Sequence, residues 1–208
     1  MADVPRNLVI ETAAAACSVA LIEGGTVIAE RHEVVQRGHA ERLIPMIAEL
    51  PGGGRAERIL VDCGPGSFTG IRVGIAAARG LALGWNAEAT GFSSLQLVAA
   101  AAFAADPALA DLAVVLEGGH GEVFMQAFTR QPGDDAAFAS LKPGAALAAL
   151  GGRVAVGNGV RHLAALDPSL DLREALPRAA DALLLRPERT GLPARPIYGR
   201  APDAKPLA

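Results

Sequence analysis

With 208 residues the chain has room for one large domain or two small ones. Hydrophobic residues make up 51% of it but aromatics only 4%, so the core must be built from closely packed small aliphatic side chains. A net charge of −3, with the 19 basic residues scattered along the chain, excludes a broad nucleic-acid-binding surface, because phosphate neutralisation needs massed Lys and Arg.

The N-terminal residues enter a strand without a signal-peptide apolar core, and Leu8 to Glu11 read as a buried strand. Ser18 to Glu23 and Thr26 to Val34 flank Gly24-Gly25, a two-residue hairpin turn signal. His39 to Leu50 carries Leu43, Ile44, Ile47 and Leu50 at helical spacing, and Pro45 inside that pattern should kink the helix or mark its start. Pro51-Gly52-Gly53-Gly54 stops it. Arg58 to Cys63 is a second buried strand, followed by the loop GPGSFTG and a helix from about Gly70 to Trp85.

A short strand at Ala87 to Gly91 and an alanine-rich helix at Leu95 to Ala105 come next, and Asp106-Pro107 marks a boundary. Leu112 to Glu117, Glu122 to Thr129 and Val154 to Val156 read as strands; Gly144 to Leu150 and Arg178 to Leu185 read as helical. Residues 193–208, rich in proline, read as a tail. The order strand, hairpin, helix, strand, helix predicts an α/β fold with mixed sheets, in the layout of actin, sugar kinases and the heat-shock ATPases. The expected division is an N-terminal subdomain at 1–105, a smaller one at 106–192 and the tail. No charge-free apolar stretch reaches membrane-spanning length, and Cys17 and Cys63 lack metal-type spacing. The expectation is a soluble cytoplasmic protein with reduced, buried thiols.

The stretch from Cys63 to Trp85 is the most informative. Gly66, Gly70 and Gly74 recur every four residues, Ala78 continues the row, and Gly80 and Gly84 add to it. Glycine costs a helix interior about 0.5–1 kcal/mol relative to alanine, and the return is close approach of another backbone. The row predicts a helix made to be pressed against something. The glycine loop could cradle an anion, but no Lys follows its last glycine as in a P-loop, and Ser67 lacks the nucleophile-elbow pattern. Ser67 or Thr69 more simply caps the helix. The hairpin Glu11-Thr12-Ala13-Ala14-Ala15-Ala16-Cys17-Ser18 places four alanines where phosphate approach favours glycine, so it reads as structural. Gly157-Asn158-Gly159 is a candidate remnant of a nucleotide loop. The four histidines, His32, His39, His120 and His162, form no metal-binding pair. Arg72 and Arg79 share a helical face and are either a solvated stripe or a polar seam within an interface. Glu122 reads as a surface or hinge carboxylate, and Cys63 has a small claim as a nucleophile.

Together the segments IETAAAACSVAL, RGHAERLIPMI, GPGSFTGIRVGIAAARGLALG, GEVF and GNG resemble the TsaB (YeaZ) family over most of residues 8–160. The Pro-Ile-Tyr-Gly-Arg segment near the C-terminus is similar to that family's ending. The resemblance implies an actin- and heat-shock-ATPase-like (ASKHA) fold of two related subdomains with mixed sheets flanked by helices, the second degenerate. It implies a non-catalytic subunit with no metal, cofactor or catalytic residue. Such a subunit pairs with TsaD, which transfers a threonylcarbamoyl group to adenosine 37 of ANN-decoding tRNAs; TsaC-type enzymes supply the donor and TsaE joins the complex. Carried onto this chain, the partner interface comprises His39, Leu43, Met46, Ile47, Gly70, Arg72, Gly74, Ile75, Ala78 and Arg79. A homodimer through the same face is implied where TsaD is absent, with tRNA contacted only indirectly. Glu11 departs from the family's usual aspartate, and the short Pro51–Gly54 linker would end the first helix early. The competing reading is a small-molecule kinase or ATPase of the same superfamily.

Overall fold

The computed structural model describes residues 5–131 and 136–199. Among them, two mixed sheets carry helices on their faces. The first sheet is built from β1 (Arg6–Glu11), β2 (Ala16–Glu23), β3 (Thr26–Val34), β4 (Arg58–Asp62), β5 (Glu88–Phe92) and a C-terminal strand, Leu192–Pro193, in the order C-terminal strand, β5, β4, β1, β2, β3. The first three strands form the expected antiparallel meander, and β4 lies parallel to β1 with Ile10 opposite Val61.

β1 is central, and Leu8, Val9 and Ile10 are buried on both faces, so the strand reads as a continuous apolar run. Alternation sends Leu8, Ile10, Val19, Ile59 and Val61 to one face, where α1 (His39–Ala48) and α2 (Phe68–Trp85) cover them. Val9, Ala20, Leu60 and Phe92 face the other way, onto α3 (Ser94–Ala105) and a 3-10 segment, Ala179–Leu184. Pro45 does not start α1. The helix begins at His39 and runs through the proline, which sits on its exposed side where the carbonyl deprived of an amide can reach water.

The second sheet takes β6 (Asp111–Glu117), β7 (Val123–Thr129), β8 (Ala139–Leu141), β9 (Ala155–Val156) and β10 (Leu172–Arg173) in the order β10, β9, β6, β7, β8. The helices α4 (Pro143–Leu150) and α5 (Val160–Ala164) pack on one face of it. α5, β8, β10 and the C-terminal strand are too short for a periodic signal and escape the sequence reading.

The predicted tail is corrected over residues 193–199. The C-terminal strand, now β11 (Leu192–Pro193), pairs antiparallel with β5, with Leu192 opposite Gly91. Beyond it, the Ile197 amide donates to the Cys63 carbonyl at 2.7 Å. Strand pairing, backbone hydrogen bonding and the packing of Ala194 and Ile197 on the core hold a segment whose prolines left it looking unstructured. Residues 200–208 of the predicted tail lie outside the described residues.

Candidate partner-docking face

The hairpin turn between β1 and β2 and the glycine loop after β4 meet at the C-terminal ends of two parallel strands, where related folds bring backbone amides to a ligand. Here those amides are already taken. The Glu11 carboxylate accepts from the Ala13 amide at 2.7 Å and from the Ala14 amide at 3.2 Å, so the chain's own carboxylate occupies the anion position. The Ser67 amide donates to the Ala13 carbonyl at 2.7 Å, which closes the loop onto the turn.

This contact explains the glycine row, and it corrects the partner interface that the resemblance placed on Gly70 and Gly74. A Cβ at Gly66 would overlap the Ala13 carbonyl oxygen, one at Gly70 the Thr12 carbonyl oxygen, and one at Gly74 the Thr12 hydroxyl. The row is pressed against the hairpin of the same chain, not against a partner. Ser67 caps α2 as expected, its Oγ accepting from the Gly70 amide at 3.2 Å.

The expected interface residues fall into two groups. His39, Leu43, Met46, Ile47, Gly70, Gly74, Ile75 and Ala78 are buried in the chain's own core and have no surface to offer a partner. His39 is spoken for as well. Its Nε2 lies 3.0 Å from the Ala14 carbonyl and 3.1 Å from that of Ala16, pinning the start of α1 to the hairpin. Arg72 and Arg79 do reach the surface. The Arg72 guanidinium stacks 3.5 Å from the Phe68 ring centroid and donates to the Tyr198 hydroxyl at 3.0 and 3.2 Å. Arg79 donates to the Ala194 carbonyl at 2.6 Å. Both arginines therefore fasten the C-terminal segment to α2.

What the sequence reading missed is the outward face of the same two helices. Leu83 is 87% exposed, Phe68 58% and Ile44 50%. Ala76, Gly80 and Gly84 on α2 are exposed as well, and a Cβ at Gly80 or Gly84 would meet nothing within 4 Å. The four-residue spacing of Ala76, Gly80 and Gly84 was the available signal, hidden because the buried glycine row has the same spacing.

The remaining candidates resolve into structure. A Cβ at Gly157 would overlap the Val115 carbonyl oxygen, and Asn158 Oδ1 accepts from the Glu117 amide at 3.0 Å. GNG thus presses a loop onto β6. Glu122 accepts from the Ser140 hydroxyl at 2.7 Å. Cys17 and Cys63 are unpaired and buried, and burial pushes their thiols up to about 12 and about 11, far from nucleophile range. Among the described residues no group of three or more His, Cys, Asp and Glu could hold a metal ion, and no helix is long and apolar enough to cross a membrane.

Comparison with known proteins places this geometry. A family model described as "TsaD: tRNA N6-adenosine threonylcarbamoyltransferase" matches residues 25–151, more than half of the chain. The chain is 39% identical to the tRNA threonylcarbamoyladenosine biosynthesis protein TsaB of Escherichia coli (strain K12), over 60% of its own length and 55% of that protein's. It superposes on the solved structure of YeaZ from Pseudomonas aeruginosa with a TM-score of 0.75 at 25% identity, covering 93% of this chain and 99% of that one. The chain belongs to the TsaB/YeaZ family. A second Pseudomonas aeruginosa structure, of an uncharacterized protein with similarity to the peptidase YeaZ, gives a TM-score of 0.78 at 27% identity, over 94% and 100% of the two chains. Against an uncharacterized protein of Mycobacterium tuberculosis (strain ATCC 25618 / H37Rv) the identity is 31% over 97% of this chain and 94% of that protein. The match spans about half the length of the E. coli TsaB relative, and 42% of that from Haemophilus influenzae. TsaB/YeaZ membership agrees with the two mixed sheets flanked by helices.

Proposed function

We propose that this TsaB/YeaZ-family chain is a non-catalytic scaffold and activator subunit in tRNA threonylcarbamoyladenosine synthesis, docking the transferase TsaD through the outward face of α1 and α2. The observation that carries the reading is that open face: Leu83 stands in water beside side-chain-free backbone at Gly80 and Gly84, and Ile44 and Phe68 are exposed on the same two helices. Apolar surface of this kind marks an interaction site, and missing side chains let a second helix approach more closely than the usual 8–10 Å or so. The residues expected at the interface shift accordingly, from the buried row to Ile44, Phe68, Arg72, Ala76, Gly80 and Leu83.

Two further features favour a scaffold over the kinase or ATPase alternative. The hairpin amides are occupied by Glu11, and α3 with Ala179–Leu184 packs directly on the sheet face beside it. On this reading TsaE joins through TsaD, tRNA is contacted indirectly, the site of action is the cytoplasm, and the chain uses no cofactor of its own.

The test is size-exclusion chromatography with light scattering on this chain mixed with TsaD of the same organism. A 1:1 complex, lost in folded Gly80→Leu and Leu83→Arg variants, is the expected result. No complex with or without TsaE and nucleotide overturns the reading, and Mg-ATP binding to the isolated chain by calorimetry would favour the enzyme. Self-association that the same variants abolish would identify the competing homodimer.

A further inference from the structure

Two carboxylates lie side by side in the interior beneath the glycine loop, and neither is matched by a basic side chain. Glu11 ends β1 and Asp62 ends β4, one position beyond the register pair Ile10 and Val61 on neighbouring parallel strands. Strand alternation turns both toward α3, in one row with Ser18 of β2 and Phe92 of β5. Both are completely buried.

Each carboxylate has one satisfied oxygen and one orphan. Glu11 Oε1 accepts from the Ala13 and Ala14 amides. Asp62 Oδ1 accepts from the Gly64 amide at 2.6 Å and the Ser94 hydroxyl at 2.7 Å. Glu11 Oε2 and Asp62 Oδ2 are buried without a hydrogen-bond partner among the described residues. Two adjacent buried carboxylates cannot both stay ionised, because desolvation and mutual repulsion add.

We propose that Glu11 and Asp62 keep a single proton between them, one a carboxylic acid beside the other's carboxylate, where the hairpin turn, the glycine loop and the start of α3 meet. The remaining negative charge is met by the amides of Ala13, Ala14 and Gly64. Burial first, and then the Asp62 charge, raises Glu11 well above the usual range; burial lifts Asp62 to about 7.

The surrounding titratable groups do not supply a competing charge partner. Cys17 on β2 and Cys63 after β4 are neutral thiols. α3 carries no ionisable side chain along Ser94–Ala105. Across the Ala179–Leu184 segment, Asp181 is raised by burial, and Arg178 is paired with Glu30 at 2.6 Å. His32 on β3, opposite Ser18, is held low by burial and by Arg178, so it stays neutral near pH 7.

The raised carboxyls fix the direction of the pH dependence. The folded pair keeps its proton where unfolded carboxyls, with ordinary values near 4, have lost theirs. Stability from this pair is complete at low pH and drains away as pH rises from about 4 to about 7. For one proton the unfolding constant rises by up to about tenfold per pH unit in that window.

The experiment is urea unfolding, followed by Trp85 fluorescence between pH 4.5 and pH 8, of the wild type, Glu11→Gln, Asp62→Asn and the double variant. Either single amide replaces the shared proton with a permanent N–H donor, so both singles should lose the wild type's excess slope and gain relative stability at pH 8. The double variant sets two amide groups face to face and should be the least stable. Taking the wild type relative to each single variant cancels every other titrating group. Parallel pH profiles for all four proteins overturn the proposal, as does a wild-type midpoint that climbs with added Mg²⁺ or K⁺ at fixed ionic strength, which would put a cation in the gap. Should the variants fail to fold, infrared difference spectra of the wild type at pH 6 decide: a buried carboxylic acid carbonyl band is expected, and its absence overturns the pair.

Discussion

The Thr12 hydroxyl donates to the carbonyl oxygen of Gly70 at 2.8 Å, seating the hairpin turn directly on the first turn of α2. No side chain fits between the two backbones. Gly70→Ala brings a methyl onto the fixed Thr12 carbonyl, whereas Gly74→Ala meets the tip of the Thr12 side chain. Gly70→Ala should therefore cost the more, about 3 kcal/mol or above, and Gly74→Leu a similar amount through overpacking against Val61 and Ile10. Urea unfolding followed by circular dichroism checks the order.

Gly80 behaves oppositely. Its Cβ position is open, and leucine is the better helix former by up to about 1 kcal/mol, so Gly80→Leu should melt at the wild-type temperature or higher. A clear fall in melting temperature would mean that α2 packs differently on its outer side.

The C-terminal segment shields Cys63, whose thiol lies 3.6 Å from the Pro193 carbonyl and is pushed up to about 11 by burial. At pH 8 a thiol of that kind is thiolate about one part in a thousand of the time, so the folded chain should be nearly inert to a disulfide reagent. Ending the chain at Gly191 should make Cys63 react while Cys17, buried on β2 beneath the helices, stays slow. Reagent titration followed by mass spectrometry assigns the modified residue.

His39 Nε2 faces two carbonyl oxygens, which only accept, so this nitrogen carries the hydrogen and donates to both. His39→Ala removes the donor and should cost about 1–3 kcal/mol by denaturant unfolding. His39→Gln, which keeps an N–H, should recover part of that loss.

Periodicity alone makes several elements legible in the amino-acid sequence. Leu43 and Ile47 mark the buried stripe of α1, Gly24-Gly25 the first hairpin, and the apolar run at Leu8 to Ile10 a strand covered on both faces. These are local signals: the spacing of side chains within one element states which of its faces is apolar. α2 has no such answer in its own sequence. It is apolar nearly all round and carries two small-residue rows at the same spacing, Gly70-Gly74-Ala78 and Ala76-Gly80-Gly84. Only contacts with distant residues separate them, because Thr12 lies against the first row and nothing lies against the second. The same holds for Ile197, whose amide finds the carbonyl of Cys63 from the far end of the chain, and for Glu11 and Asp62, which parallel strands bring together. One-dimensional pattern decided which of the longer elements form; which helix face is left for a partner, and which carboxylates must share an interior, was decided by packing between segments that the pattern cannot relate.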